Sequence, residues 1–261
     1  MENNNFSIKQ YSLTKILIIW ASVALPIGIC GWILSPLFQI FFNNLAVGRM
    51  LAITIGLIWQ FVLVLILLKK EYGKINISVI KNGLVLLHPK TPGTEKTNKL
   101  LWLLIIPIIF ITAFFQIYIT KIIINWWTEL IPLFKEPDMY SLSGLIDSEE
   151  GRNNISGSWF IFFIWIICAV FNTFLGEELL FRGILLPRMN KVFKNYDWLV
   201  NGILFALYHT HQPWGILSTA ILSSTIFALM AKIFKSTWFS IISHSGQSIY
   251  FSILIFLLVI K

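Results

Sequence analysis

The chain has 261 residues, of which 57% are hydrophobic and only 12% are charged, whereas soluble domains are roughly 45–50% apolar and about 25% charged. So few polar residues cannot cover a water-exposed surface, which excludes a soluble globular protein and indicates an integral membrane protein. The formal net charge of +8 does not indicate nucleic-acid binding, because the positive charges lie in short segments between apolar runs, as the positive-inside rule requires.

Long apolar runs follow one another along most of the chain. Residues 1–15 are polar and lead into the first run without a signal-peptide cleavage site, so we interpret them as a cytosolic segment before a single transmembrane domain at 16–261. A spanning helix needs about 20 mostly apolar residues. The candidate runs are Ile16–Phe42, Leu45–Leu68, Leu100–Trp127, Trp159–Leu186, Trp198–Gln212, Gly215–Phe234 and Thr237–Ile260. The sequence therefore predicts an all-α, polytopic membrane protein of about seven (six to eight) transmembrane helices around a polar intramembrane cavity.

Two of these runs contain features that interrupt a helix. Pro26 and Pro36 predict a kink or a break in the first run. The fifth run is short and ends in the polar segment His209–Pro213, so we expect it to be shallow or supported by neighbouring helices. The two cysteines, Cys30 and Cys168, fall inside apolar runs and are interpreted as packing residues.

The distribution of basic residues predicts the orientation in the cell membrane. With seven spans, fifteen of the 20 lysines and arginines lie on the side of the N-terminus. The remaining five are Arg49, Lys121, Lys135, Arg152 and Lys261. This bias predicts a cytosolic N-terminus and an external C-terminus. Residues 69–99 are then a cytosolic loop, with an apolar portion that could lie on the membrane surface.

Ionisable residues stand within three of the later runs. The fourth contains Glu177, Glu178 and Arg182, the fifth ends near His209, and the seventh contains His244. Such residues are costly inside a membrane and are by default a functional hypothesis. With a rise of 1.5 Å per residue, Glu177 and His209 lie on the order of 15 Å from the basic side and His244 roughly 10 Å. Three helices thus bring an acid and two imidazoles to comparable depths.

These residue types allow two kinds of hydrolytic chemistry. A desolvated Glu177 can act as a general base on water near neutral pH, and a protonated histidine, a hydroxyl or an amide can stabilise the resulting oxyanion. Alternatively, Glu177, His209 and His244 could bind a zinc ion that activates the water. Each histidine could also be a hydrogen-bonded packing residue.

The remaining polar residues of these runs favour supporting or structural roles. Glu178 and Arg182 are spaced i, i+4 and can pair on one helix face. His211 is expected at an interfacial or capping position, and His88 in a solvated loop. Because helical residues at i and i+2 point apart, the His209/His211 pair is a weak metal signal.

Three ordered motifs resemble the CAAX protease and bacteriocin-processing family of intramembrane proteases, which includes the type II CAAX prenyl endopeptidases. The EExxxR motif stands at Glu177–Arg182, the FxxxH motif at Phe205–His209, and the third motif at His244–Ser248. The resemblance covers residues 170–250 within a protease-like core at about 159–255. The family has Asn at the position of Ser248, so this chain departs from the third motif there.

The resemblance implies a helical core around a cavity open toward the cytosolic side. It implies that Glu177 and His209 activate water, that His244 and position 248 stabilise the oxyanion, and that Glu178 and Arg182 support the first motif. We therefore expect an intramembrane endopeptidase of the glutamate or metallo type, acting on a membrane-anchored protein or peptide in the lipid bilayer, with zinc as a possible cofactor and no nucleic-acid partner.

Two other classes of function remain open. A noncatalytic family member could act in bacteriocin self-immunity or as an interaction scaffold. A proton-coupled transporter could also use buried Glu and His, but transporters usually show paired repeats, and the ionisable motifs have no second copy in the sequence.

Overall fold

The computed structural model describes residues 6–42, 45–137 and 148–261. Within these ranges the chain is helical, and its β-structure is limited to an isolated antiparallel bridge between Lys90 and Thr97. Among the described residues, six helices are long and apolar enough to cross a membrane: α1 (Leu13–Ile40), α2 (Val47–Tyr72), α4 (Lys99–Leu130), α6 (Trp159–Arg188), α8 (Pro213–Phe234) and α9 (Thr237–Val259). Shorter helices are α3 (Ile77–Gly83), α5 (Glu149–Ile155) and α7 (Asp197–Tyr208). The predicted all-helical, multi-pass class is confirmed.

The proline-containing first helix continues rather than breaks. It runs through Pro26 and widens into a π-helical segment at Cys30–Leu34, after which Ser35–Phe42 is again α-helical. The Ser35 hydroxyl donates to the Cys30 carbonyl at 2.8 Å. Because Pro36 has no N–H to donate, a wider turn just before it accommodates the ring without ending the helix.

The fifth predicted span is only partly helical. Helix α7 has 12 residues, which corresponds to about 18 Å and does not cross a bilayer. The helix begins where Asp197 pairs with Lys232, near the end of α8. Beyond the helix, the Thr210 hydroxyl donates to the Ala24 carbonyl at 3.1 Å. Residues 209–212 therefore extend the path of α7 toward the start of α8 in a non-helical conformation, supported by α1.

The two ends of the helix bundle differ in charge. At one end, which we call the basic end, Arg188 pairs with Glu71 at 3.0 Å. This end also carries Lys90, Lys191, Lys194, Lys232 and Lys235. The opposite end is the one where Trp127 donates to the Pro213 carbonyl at 3.0 Å. The predicted partition of basic residues between two sides of the protein thus corresponds to two ends of one bundle.

The segment between α2 and α4 packs onto the basic end. The Arg188 guanidinium donates to the Gly83 carbonyl at 3.1 Å, and the Thr237 hydroxyl donates to the Leu84 carbonyl at 2.7 Å. Farther along, Glu95 pairs with Lys90 and Lys235. These two lysines hold the pKa of Glu95 at about 2, below its usual range. The segment is therefore a folded cap over the ends of α6 and α9.

Helices α7 and α8 approach each other closely at a glycine. A Cβ atom on Gly202 would lie 2.5 Å from the backbone nitrogen of Ser224 and 2.4 Å from its Cα. Real Cβ atoms do not come that close to backbone atoms, so the spacing of these two helices requires glycine at this position. This contact sets the position of Ser223, which binds a charged side chain of the candidate site.

Candidate active site

Two widened turns of α6 surround the acidic pair. Residues Val170–Gly176 and Leu179–Leu185 are π-helical, and Glu177 and Glu178 lie between them. Wide turns of this kind occur frequently at functional sites. Glu177 is 2% exposed and Glu178 is fully buried. Although adjacent in sequence, the two carboxylates have different partners.

Glu177 faces both predicted histidines. Its Oε1 atom lies 3.7 Å from Nε2 of His209, and its Oε2 atom lies 4.0 Å from Nε2 of His244. Both separations exceed a direct hydrogen bond, but they suit groups that share a small molecule between them. The structure thus brings together the acid and the two imidazoles that the sequence places on three separate segments.

The other nitrogen of each histidine has a defined partner. Nδ1 of His209 lies 2.8 Å from the Phe205 carbonyl, and Nδ1 of His244 lies 2.9 Å from Oε1 of Glu178. A carbonyl and a paired carboxylate are acceptors only, so we assign the Nδ1 proton in both rings. In their neutral forms, both rings then direct an Nε2 lone pair toward Glu177.

Glu178 belongs to a buried ionic network. Its Oε1 atom accepts from Arg182 Nη1 at 3.0 Å as well as from His244, and both side chains of the ion pair are fully buried. Arg182 also donates to the Ser223 hydroxyl, and its guanidinium carbon lies 4.2 Å from the centroid of the Phe205 ring. The predicted i, i+4 pair is therefore present, and it connects α6 to both α8 and α9.

Asn172 is a site residue that the sequence did not reveal. With its amide nitrogen oriented toward Glu177, it donates to both carboxylate oxygens at 3.0 and 3.1 Å. Helical spacing of four residues would instead place Thr173 beside Glu177. In the π-helical turn, however, the Glu177 amide donates to the Asn172 carbonyl, so residues five apart become neighbours. The Asn–Glu spacing is visible in the sequence, but the turn type that makes it meaningful is not.

A cavity of about 230 Å³ contains the Glu177 carboxylate and both histidines. Gln116, Asn172, Gln212 and Gln247 contribute side-chain amides to its lining. Ser248 does not line this cavity; it lines a neighbouring one of about 280 Å³, together with Asn172 and Gln247. The position that differs from the family motif therefore lies beside the cavity, and the adjacent glutamine lies within it.

The other two histidines are His211, which is buried, and His88, which is exposed. His211 is 3% exposed, and its carbonyl accepts from Arg49, so it is buried rather than interfacial. Its ring stacks on that of His209 with centroids 5.5 Å apart. The expectation that these two rings point apart is wrong, because the helix ends at Tyr208 before either of them. His88 lies in an exposed loop as predicted, where Trp102 donates to it.

Glu177, His209 and His244 carry ligand types, a carboxylate and two imidazoles, that bind zinc in many proteins. With metal–ligand bonds of about 2.0–2.1 Å, neighbouring tetrahedral donors lie roughly 3.3–3.5 Å apart. The separations of 3.7 and 4.0 Å around Glu177 are wider. Within the described parts of the chain, no group of three or more His, Cys, Asp or Glu side chains is placed to hold a metal ion. The arrangement does not fit zinc, and we derive the chemistry without it.

Residues 158–250 match the family model described as Type II CAAX prenyl endopeptidase Rce1-like. This match supports membership of the CAAX protease family. No curated protein and no solved structure matches the chain. The matched segment contains Glu177, Glu178, Arg182, His209 and His244, and it covers all of α6, α7 and α8 and the first part of α9.

Proposed function

We propose that this protein is an intramembrane endopeptidase that hydrolyses a peptide bond of a membrane-associated protein or peptide. The observation that carries the proposal is the placement of Glu177 between the Nε2 atoms of His209 and His244, at 3.7 and 4.0 Å. A carboxylate and two imidazoles around a lined cavity can bind, deprotonate and orient one water molecule. Membership of the CAAX protease family supports the same class of reaction.

The hydrolytic step can be assigned to atoms. Water bound between Glu177 and the His209 Nε2 atom attacks the carbonyl carbon, and its proton passes to the Glu177 carboxylate. The C–N bond then breaks as Glu177 transfers this proton to the leaving nitrogen. The products are a carboxylic acid and an amine, so atoms and protons balance. His209 has its Nδ1 proton engaged by the Phe205 carbonyl, which leaves Nε2 free to accept from the water.

The negative charge on the tetrahedral intermediate requires donors. His244, when protonated, donates from Nε2, and Glu178 on its Nδ1 atom orients the ring for this contact. The Gln247 amide in the same cavity offers a second donor. Asn172 holds the Glu177 carboxylate from the side through both oxygens. Because Gln247 lines the cavity and Ser248 does not, we assign the second oxyanion contact to Gln247 rather than to position 248.

The test is a comparison of membrane peptides in cells that lack the protein and in cells that carry variants of it. We expect Glu177→Gln and His209→Ala to accumulate the same uncleaved membrane protein or peptide as the deletion, at normal membrane abundance. Glu95→Gln and His88→Ala change the same residue types in the exposed cap and should process normally.

The noncatalytic alternative predicts a different pattern. If the protein acts in bacteriocin self-immunity or as a scaffold, cells carrying Glu177→Gln or His209→Ala keep the wild-type phenotype, and no membrane peptide accumulates in them. Full retention in both would therefore reject the protease proposal. A purified protein whose activity is lost to chelators and restored by zinc would reject the metal-free step but retain the endopeptidase.

A further inference from the structure

A second large cavity, which we call the basic-end cavity, lies apart from the cavity that contains Glu177. Its volume is about 390 Å³, compared with about 230 Å³ for the Glu177 cavity, and small-molecule sites usually have about 300–1,000 Å³. Several parts of the chain form its walls, represented by Phe6, Leu87, Leu186, Lys232 and Thr237. Apart from Arg182, its lining residues have no role in the proposed hydrolysis.

The basic-end cavity lies at the level where the spanning helices end. Pro187 precedes the last residue of α6, Lys232 is two residues from the end of α8, and Thr237 is the first residue of α9. A spanning helix ends where the hydrocarbon core of the bilayer gives way to the lipid headgroups. The predicted orientation places the basic end on the cytosolic side. The cavity is therefore level with the headgroups of the cytosolic leaflet.

Two of the four cations in the lining are balanced by buried acids. Arg182 pairs with Glu178 at 3.0 Å, and Lys232 donates to Asp197 and to two backbone carbonyls. The Arg182 Nε atom, however, is buried without a hydrogen-bond partner among the described residues. A buried donor of this kind is costly unless an acceptor reaches it. Arg182 thus keeps one unused N–H donor.

Lys90 and Lys235 are the two lining cations that share a single acid. Both pair with Glu95, whose side chain is 71% exposed and lies outside the lining of the cavity. An ammonium group has three N–H donors, so each lysine has donors beyond the one that binds Glu95. The two lysines hold the pKa of Glu95 at about 2, below its usual range. The surroundings of these two ammonium groups therefore favour a negatively charged oxygen.

The surroundings of the cavity combine positive charge with apolar surface. Lys9, Lys81 and Lys191 are exposed, and each is adjacent in sequence to a lining residue. Clustered positive charge raises the local concentration of anions. Most of the other lining residues are apolar, including Phe6 and Leu186. The cavity therefore matches a ligand that has both an anionic group and an apolar part.

The walls of the cavity are held in place by backbone hydrogen bonds. The Thr237 amide donates to the Val85 carbonyl at 3.0 Å, and the Lys90 amide donates to the Phe234 carbonyl at 2.9 Å. Two lining residues, Val85 and Lys235, have positive φ angles of 53° and 49°. Such angles are unusual outside glycine, particularly for a β-branched residue, and they occur where the surroundings fix the backbone, including ligand-binding clamps. The site is thus formed before a ligand arrives.

We propose that the basic-end cavity binds the phosphate headgroup of an anionic phospholipid of the cytosolic leaflet, with Lys90 and Lys235 as its charged ligands. Basic pockets between membrane helices on the cytosolic side bind such headgroups in other proteins. The apolar lining contacts the glycerol and the first part of the acyl chains. Inorganic phosphate carries the same anionic group but has nothing to place against the apolar wall, so a lipid is the better match.

The test measures binding of a short-chain phosphatidylglycerol to the purified full-length protein in detergent at fixed ionic strength. The variant Lys90→Gln/Lys235→Gln removes the two proposed ligands. Lys69→Gln/Lys74→Gln is the matched control, because both lysines are exposed near the basic end and lie outside the lining. Each basic residue close to an anionic lipid raises its affinity about fivefold, so we expect binding about 25-fold weaker in the first variant and within about twofold of wild type in the control.

Three outcomes would overturn the proposal. The first is equal phosphatidylglycerol binding by wild type and the Lys90→Gln/Lys235→Gln variant. The second is an equal loss in the control variant, since the attraction would then come from surface charge in general. The third is found with other ligands: phosphatidylcholine of the same chain length that binds as tightly would remove the role of charge, and inorganic phosphate that binds as tightly would assign the cavity to a free anion.

Two further measurements keep the test decisive if the glutamine variant fails to fold. Lys90→Arg/Lys235→Arg preserves both charges and should retain lipid binding. For the wild-type protein, raising the ionic strength from about 0.05 to 0.5 M should weaken phosphatidylglycerol binding, because salt screens the attraction between exposed charges; affinity that does not change with salt would contradict the proposal. Lipid binding is independent of the proposed cleavage, so Glu177→Gln should bind phosphatidylglycerol as wild type does.

Discussion

The buried pair of Glu178 and Arg182 offers a quantitative test of the site's architecture. Both side chains are fully buried, and Glu178 is also the acceptor for His244 Nδ1. Replacing Glu178 by Ala leaves the guanidinium buried without its paired carboxylate, beside Ser223 and the Phe205 and Phe227 rings. Removing one partner of a buried ion pair costs about 3–5 kcal/mol. For a protein of this size, each kcal/mol lowers Tm by roughly 2–4 °C, so the expected loss is on the order of 6–20 °C.

The assay is thermal unfolding of the purified protein in detergent, followed by the fraction that remains monodisperse after heating. Glu178→Ala/Arg182→Leu removes both charges, and we expect it to recover much of the lost stability because no isolated charge is left in the interior. Glu129→Ala removes an exposed acid as a matched control and should change Tm little. A loss below about 2 °C for Glu178→Ala, or a double variant less stable than the single one, would refute the reasoning.

Three further predictions follow from single contacts. Gly202→Ala should prevent α7 and α8 from packing, because its Cβ would lie 2.5 Å from the Ser224 nitrogen; we expect loss of folded protein by size-exclusion chromatography, whereas wild-type yield would contradict the close contact. Asn172→Ala should lower cleavage of the identified substrate by roughly 10–150-fold, since a hydrogen bond to a charged group is worth about 1.5–3 kcal/mol, and unchanged turnover would show that Glu177 needs no amide. The pKa of Glu95 is about 2 in the folded protein, below the unfolded value. The ion pairs of Glu95 with Lys90 and Lys235 therefore contribute stability above about pH 4.5, which is lost as the pH falls toward 2. The Tm difference between wild type and Glu95→Gln should shrink over that pH range, and a pH-independent difference would argue against the ion pairs.

The membrane class, the long helices and the identity of the central ionisable residues could be predicted from the sequence. Each spanning helix needs about 20 consecutive apolar residues and satisfies its own backbone hydrogen bonds. Both requirements concern one segment at a time, so they can be recognised in the sequence without knowledge of the packing. Rise per residue is equally local, so Glu177, His209 and His244 could be placed at comparable depths before their contacts were known. The i, i+4 spacing of Glu178 and Arg182 predicted their pair for the same reason.

The tertiary structure alone decided how these residues are used. Asn172 reaches Glu177 because α6 widens into a π-helical turn, and no residue pattern in the sequence marks that turn. Helix α7 ends at Tyr208, and the rings of His209 and His211 stack on each other. On a continuous helix these two side chains would have pointed apart. Hydrophobicity along the chain selects the helices, whereas turn geometry and packing between helices determine which polar groups meet.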